Sequence, residues 1–235
     1  MSGSEGLANG SACAGSSVTV LAPAKINLFL HIVGRREDER HELESIFAFA
    51  DIGDRLRMAP ADDFSLALTG PFAKDLSAGD NLVLKAAKAL AARVGPAAFP
   101  VKLELEKNLP VAAGIGGGSA DAAAVLRGLS ALWGSALAAN QLFDLALSLG
   151  ADVPACLAGV TARVTGTGEF IEPSPRSADQ FHAVLVNPRV PLSTAAVFQR
   201  YRTTSSDFSP PLAKWPDGGP EEFLGALAGY ILAPS

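Results

Sequence analysis

Apolar residues alternate with polar ones, or run together, over Ser17–Leu21, Ile26–Val33, Phe47–Asp51, Arg55–Met58 and Phe64–Leu68, which predicts a strand-rich first third. The spacing then changes. Asp80–Arg93 reads as a helix with Leu82, Leu84, Ala87 and Leu90 on its buried side and Ser77 or Asp80 as its cap. A strand follows at Val101–Leu105, then helices over 119–133 and 139–149, the second stopped by Gly150. Val160–Val164 and His182–Val186 read as strands, and Ser193–Tyr201 as a helix. A stretch rich in Ser, Pro, Asp and Gly (Thr203–Pro220) precedes a last short helix at about 221–229. Strands first and mixed elements afterwards give an α+β fold and not a doubly wound sheet.

Composition narrows the partners. With 235 residues, 49% hydrophobic and 18% charged, the chain is long and apolar enough to fold around a sizeable core. A net charge of −5 excludes the broad cationic surface that nucleic acid requires, so any anion site is local. The longest stretch without charged side chains, Gly6–Ala24, is rich in Gly and Ser and contains Pro23, so it predicts neither a membrane span nor, lacking a basic start, a secretory signal. Residues 1–16 read as a mobile tail. Two cysteines, Cys13 and Cys156, predict reduced thiols and a cytoplasmic protein.

The candidate chemistry is concentrated after the strand at 101–105. Lys107, Asn108 and Pro110 lead into a loop carrying Gly114, Gly116, Gly117 and Gly118, and then into Ser119, Asp121 and an alanine-rich helix. Glycines at a helix start let main-chain N–H groups approach a ligand where the helix dipole favours negative charge. Phosphate is the expected occupant. The loop is not a Walker A loop, since Ser119-Ala120 stand where Lys and Ser/Thr belong, and it is not a dinucleotide fingerprint, since Asn108–Ala113 separate strand from glycines.

Four separated segments carry a resemblance: Leu21-Ala-Pro-Ala-Lys-Ile-Asn-Leu28, Gly34-Arg35-Arg36 with His41-Glu42-Leu43, the glycine loop, and Gly150-Ala151-Asp152-Val153-Pro154. Over about residues 18–200 the chain resembles the GHMP kinase superfamily and, within it, the kinases of 4-diphosphocytidyl-2-C-methyl-D-erythritol. The resemblance implies a two-lobed α+β kinase that transfers phosphate from ATP, with Mg²⁺, to the 2-hydroxyl of that small-molecule substrate in isoprenoid precursor synthesis. It implies an N-terminal ATP-binding lobe over 17–160 and a C-terminal lobe over 161–235. Family members continue into a second glycine-rich segment that is not found after Phe198, so an incomplete C-terminal lobe is expected. Another small-molecule kinase of the superfamily, or a non-catalytic nucleotide-binding remnant, is the alternative.

By the same resemblance Asp152 takes the substrate hydroxyl proton, and Lys25 holds that aspartate and the developing charge. On residue type alone, the favoured readings are Asp152 as a helix cap and Lys25 as a snorkelling edge-strand lysine. Lys107, Asn108, Pro110 and the four glycines fall to the nucleotide. Ser119 falls to phosphate or Mg²⁺, with helix capping as its alternative, and Asp121 reads as an acid stabilising the helix dipole. Asn27, His41 and Phe198 resemble the lining of the cytidine pocket, though Phe198 reads equally as a core aromatic. One departure stands out: the family's Asp-Gly-Tyr-His is Asp38-Glu39-Arg40-His41 here, which predicts loss of a glycine turn and of a stacking ring, and weaker cytidine recognition.

Overall fold

A computed structural model describes residues 17–76, 81–134, 137–175, 182–188, 190, 194–204, 208–212, 214 and 222–226. Its centre is one long strand. Strands β1 (Val18–Arg35) and β2 (His41–Pro60) pair antiparallel along nearly their whole length. On its other edge β2 is shared: Arg55–Pro60 pair with β4 (Val101–Glu106), and Leu43–Phe47 pair with β5 (Ala162–Gly166). Strand β3 (Ser65–Thr69) adds in parallel to β4, and β6 (Phe170–Pro173) adds antiparallel to β5, completing a six-stranded sheet.

The two strand pairs expected within 17–33 and 47–58 are thus two continuous strands. Their interruptions survive as register shifts, the first between Pro23 and Lys25. A shift there breaks the strict in–out alternation, which is how the neighbours Ala24 and Lys25 are both buried. Strands β5 and β6, which follow residue 160, extend the same sheet as β1–β4.

Helix α1 (Leu82–Val94) buries Val83, Ala86, Ala87 and Leu90, one position round from part of the expected face. Its cap is Asn81, whose side chain accepts from the Val83 amide at 2.9 Å; Ser77 and Asp80 lie outside the described residues. Helix α2 (Gly117–Leu132) is buried almost all round from Ala120 to Leu126, as befits a central helix built of small side chains. It lies against β1 and β2, with α1, α3 (Ala139–Leu149) and α4 (Val153–Ala158) packed around it. Leu56, Met58, Leu103, Leu105, Leu126 and Leu129 make the main core.

The strand expected at His182–Val186 is not formed: residues 182–188 are irregular and exposed, and β5 takes β6 as its ladder partner instead. An apolar run needs a ladder partner to become a strand, and among the described residues no strand pairs with this segment. Helix α5 (Thr194–Thr204) lies where a helix is expected. Part of the stretch expected to be a linker is anchored. The Ser209 amide donates to the Ile32 carbonyl at 2.9 Å, and the Leu212 amide donates to buried Glu44, itself paired with Arg163. Leu212 and Phe223 bury against Phe29 and Ile46.

Gly53 lies opposite Pro23, beside the register shift between β1 and β2. A Cβ there would lie 2.2 Å from the Ala22 carbonyl oxygen and 2.8 Å from the Pro23 Cα, both backbone atoms that cannot rotate away. Gly53→Ala is expected to destabilise the fold by about 1–3 kcal/mol, the usual cost of overpacking, read as a lower urea midpoint at unchanged slope.

Candidate active site

The glycine loop rests on three buried ionisable side chains. Lys107, immediately after β4, sends its Nζ under the loop to Asp54 of β2 and to Asp121 of α2, the latter at 2.8 Å. All three side chains are almost wholly buried. The other Asp54 oxygen accepts from the amides of Asn108 (2.6 Å) and Leu109 (2.8 Å), which fixes where the chain leaves the strand. At the far end of the loop the Lys25 amide donates to the Ile115 carbonyl at 2.9 Å.

Two of the glycines are required by packing. A Cβ on Gly117 would lie 3.0 Å from the Lys107 Nζ, and one on Gly116, at φ +65°, would lie 3.0 Å from the Lys25 side chain. Gly116 is the N-cap of α2 and offers no side chain to its first amides, so the N–H groups of the first helical turn are left for a ligand. Ser119 is already inside the helix, which removes its capping alternative; it faces the cleft with Asn108, Pro110 and Gly114. Lys107 corrects the sequence expectation: its side chain does not line the cleft. So does Asp121, which is a buried ion-pair partner and not a surface acid on the helix dipole. Burial raises the Asp121 carboxyl to about 7, against the opposing pull of Lys107.

Lys25 and Asp152 meet across the cleft floor, Nζ to carboxylate 2.9 Å, with the lysine side chain 6% and the aspartate 36% exposed. The ammonium also stands 4.0 Å above the centre of the Phe47 ring, so its position is set from two sides. Lys25 is therefore buried and not snorkelling. Asp152 occupies the N-cap position of α4 but makes no capping bond with its side chain, which faces Lys25 instead. Arg127 of α2 steadies the far end of α4 by donating to the carbonyls of Cys156 (2.7 Å) and Leu157 (3.4 Å), and also to Leu21 of β1 (3.3 Å). Burial pushes the Cys156 thiol up to about 12, so the cysteine beside the site stays neutral.

The opposite wall is built on β1, β2 and α5. The Asn27 amide donates to the Ser45 hydroxyl at 2.8 Å, and that hydroxyl donates to the Phe29 carbonyl. His41 stacks on Phe198, with ring centres 5.4 Å apart, and meets Tyr201 edge-on at 5.9 Å. The lost-turn expectation is corrected here. Glu39 holds φ +67°, the left-handed conformation a glycine would take, and the Arg36 amide closes the turn on the Arg40 carbonyl at 2.9 Å. Arg40 folds back on Asp38 at 2.7 Å at the rim.

Lys25, Asn27, His41, Asn108, Pro110, Gly114, Ser119, Asp152 and Phe198 all line one cleft of about 1340 Å³. Gly116 and Gly117 are half-buried beside it, and Gly118 is exposed with open space around it. Asp54 and Tyr201 were not singled out in the sequence. Tyr201 stands three residues after Phe198 on one helix, a spacing that places both on the same face. Asp54 carries no local signal, because its role depends on a lysine and an aspartate far away in the chain.

The GHMP kinases N terminal domain matches residues 81–160, which contain β4, the glycine loop and Asp152. A 4-diphosphocytidyl-2-C-methyl-D-erythritol kinase of Paramagnetospirillum magneticum is 51% identical over 222 residues, covering 94% of this chain and 77% of that protein. The chain belongs to the 4-diphosphocytidyl-2-C-methyl-D-erythritol kinase family. A relative of the same name from Rhizobium johnstonii is 52% identical over 187 residues, of which this chain spans 61% of the length. A crystal structure described as 4-(cytidine 5'-diphospho)-2C-methyl-D-erythritol kinase superposes with a TM-score of 0.66 at 37% identity, covering 90% of this chain and 71% of that one. Members of this family are kinases, and the two-sided cleft has the form such a reaction needs. Among the described residues no helix is long and apolar enough to cross a membrane.

Two outcomes follow from this geometry. Glu39→Gly relieves left-handed strain worth about 1 kcal/mol at the cost of an exposed Arg35–Glu39 pair, so thermal denaturation is expected to show a Tm about 2–4 °C higher; an unchanged Tm would show the turn to be unstrained. The second concerns pH. Asp121 keeps its proton up to about 7 in the folded protein but loses it near its ordinary value of 3.8 when unfolded. Folding therefore takes up a proton between those values, and this contribution to stability is full below about 4 and declines as pH rises to about 7. Asp121→Asn should flatten that part of the urea-midpoint profile; an unaltered slope would exclude Asp121 as its source.

Proposed function

We propose that this chain transfers the γ-phosphoryl group of ATP to the 2-hydroxyl of 4-diphosphocytidyl-2-C-methyl-D-erythritol, releasing ADP. The observation that carries the reading is the Lys25–Asp152 pair, 2.9 Å apart, set between a glycine-lined helix start and an aromatic wall. Phosphoryl transfer asks the protein chiefly to position its reactants and stabilise charge. The open amides at the start of α2 receive the phosphates of ATP, and Asn108 and Pro110 border the nucleoside. Asp152 takes the proton of the acceptor hydroxyl as that oxygen attacks the γ-phosphorus. Lys25 orients the carboxylate and faces the negative charge that gathers on the transferring group.

On the acceptor side, Asn27 and His41 supply polar contacts to the cytidine, and Phe198 supplies a ring for its base. Magnesium suits the donor set. Among the described residues no group of three His, Cys, Asp or Glu side chains could cage a metal, and Mg²⁺ is ordinarily held by phosphate oxygens and water with one or two protein oxygens. Ser119 supplies the protein oxygen, and the bound ion would neutralise charge on the phosphates. We assign the cytoplasm as the compartment, a reading supported by the buried free thiol of Cys156.

ADP release from ATP and the cytidylyl acceptor is the direct test, and a chain that binds both but releases none would overturn the reading. Asp152→Asn is expected to lower kcat by about 10²-fold or more, the scale of positioned acid–base catalysis, with the KM for ATP within about twofold of the parent; undiminished turnover would remove Asp152 as the base.

A further inference from the structure

The ladder between β2 and β5 ends at Leu43 opposite Gly166. Beyond it, two hairpin tips run on side by side toward the cleft: the β1–β2 tip, carrying Glu39, Arg40 and His41, and the β5–β6 tip, carrying Thr167, Gly168 and Glu169. One side chain joins them. The Arg36 guanidinium donates from Nη2 to Glu169 and from Nε to Glu42 Oε1 at 3.4 Å. The other Glu169 oxygen accepts from the Thr167 amide (2.5 Å) and the Thr167 hydroxyl (2.9 Å), so the same carboxylate also sets the shape of its own turn.

That turn presses on the catalytic peptide. Gly168, at φ +116°, approaches so closely that a Cβ would lie 2.9 Å from the carbonyl oxygen of Ala151. Ala151, Asp152, Thr167 and Gly168 share the cleft wall with Glu39, Arg40 and His41. A continuous line of contact therefore runs from the acceptor-side tip through Arg36 and Glu169 to the backbone that presents Asp152. Although burial raises the Glu169 carboxyl, its hydrogen bonds outweigh that and hold it at about 2, so the pair stays charged through the working range of pH.

We propose that Arg36 and Glu169 are positioning residues that couple acceptor seating to the placement of Asp152, by clamping the two hairpin tips together against the Ala151–Asp152 peptide. The inference rests on the kinase reading above for its catalytic consequence, and on geometry alone for the clamp. Neither residue touches the reacting atoms; each acts through the turn at 166–169. Breaking the clamp should disturb acceptor affinity and turnover together while leaving the nucleotide side, built on β4 and α2, as it was.

Three variants in the full chain test this: Arg36→Met, Glu169→Gln, and the two combined, with Arg36→Lys as the conservative rescue. Each single change is expected to raise the KM for the cytidylyl acceptor and to lower kcat by about tenfold, as small misplacements do, with the KM for ATP within about twofold. The double change should be no worse than either single one, because both break the same link. Arg36→Lys should recover most of the loss. Native-state hydrogen exchange should show faster exchange at 151–153 and 166–169 in Arg36→Met, with the glycine loop unaltered. Additive effects, an equal shift in the KM for ATP, or unchanged exchange at 151–153 would overturn the clamp. If the parent chain transfers no phosphate to this acceptor, the kinase reading fails, and the exchange data alone then decide for or against the coupling.

Discussion

Three buried ionisable side chains hold the glycine-loop side of this molecule together. Lys107, Asp54 and Asp121 come from a strand end, a neighbouring strand and a helix, and their only way to be buried is in one another's company. Removing one partner would leave the others desolvated and unmatched, which is why the arrangement fixes geometry so firmly. Asp54 orders the first peptides of the loop, Lys107 sits beneath Gly117, and Asp121 locks the start of α2 to both. The main-chain amides at the start of α2 are thus aimed by groups buried beneath them.

The opposite wall is organised differently, by aromatic contact and exposed turns. His41, Phe198 and Tyr201 meet through ring faces and edges, and the tip that carries His41 runs beyond the last backbone pair with β5. Contacts of this kind are weaker individually and more adaptable than buried ion pairs. One half of the cleft is thus held by buried ion pairs and the other by more compliant ring contacts.

Much of this was legible in the residues. The helices at 117–132 and 139–149, the strand before the glycine loop and the gathering of Lys25, Asn27, His41, Ser119, Asp152 and Phe198 follow from local pattern and from the resemblance. What local pattern cannot carry is pairing at a distance. Lys107 reads as a loop lysine until Asp54 is placed beside it, and Asp121 as a first-turn acid until burial is known. The apolar run at 182–186 has strand character but no ladder to join, while the less apolar Phe170–Pro173 becomes a strand because β5 lies next to it. Glu39 shows the reverse: residue type argues against the left-handed turn, and the hairpin imposes it.

Strand β2 has one further implication. Its early residues, His41, Ser45 and Phe47, line one wall of the cleft, and its later residue Asp54 lies beneath the glycine loop. The two groups are joined by one covalent span that pairs with β1 at both ends, while on its other edge β5 pairs only as far as Phe47 and β4 only from Arg55. Between them the register with β1 shifts, so this short stretch is where the strand bends and twists most readily, and it sets the angle between its two ends.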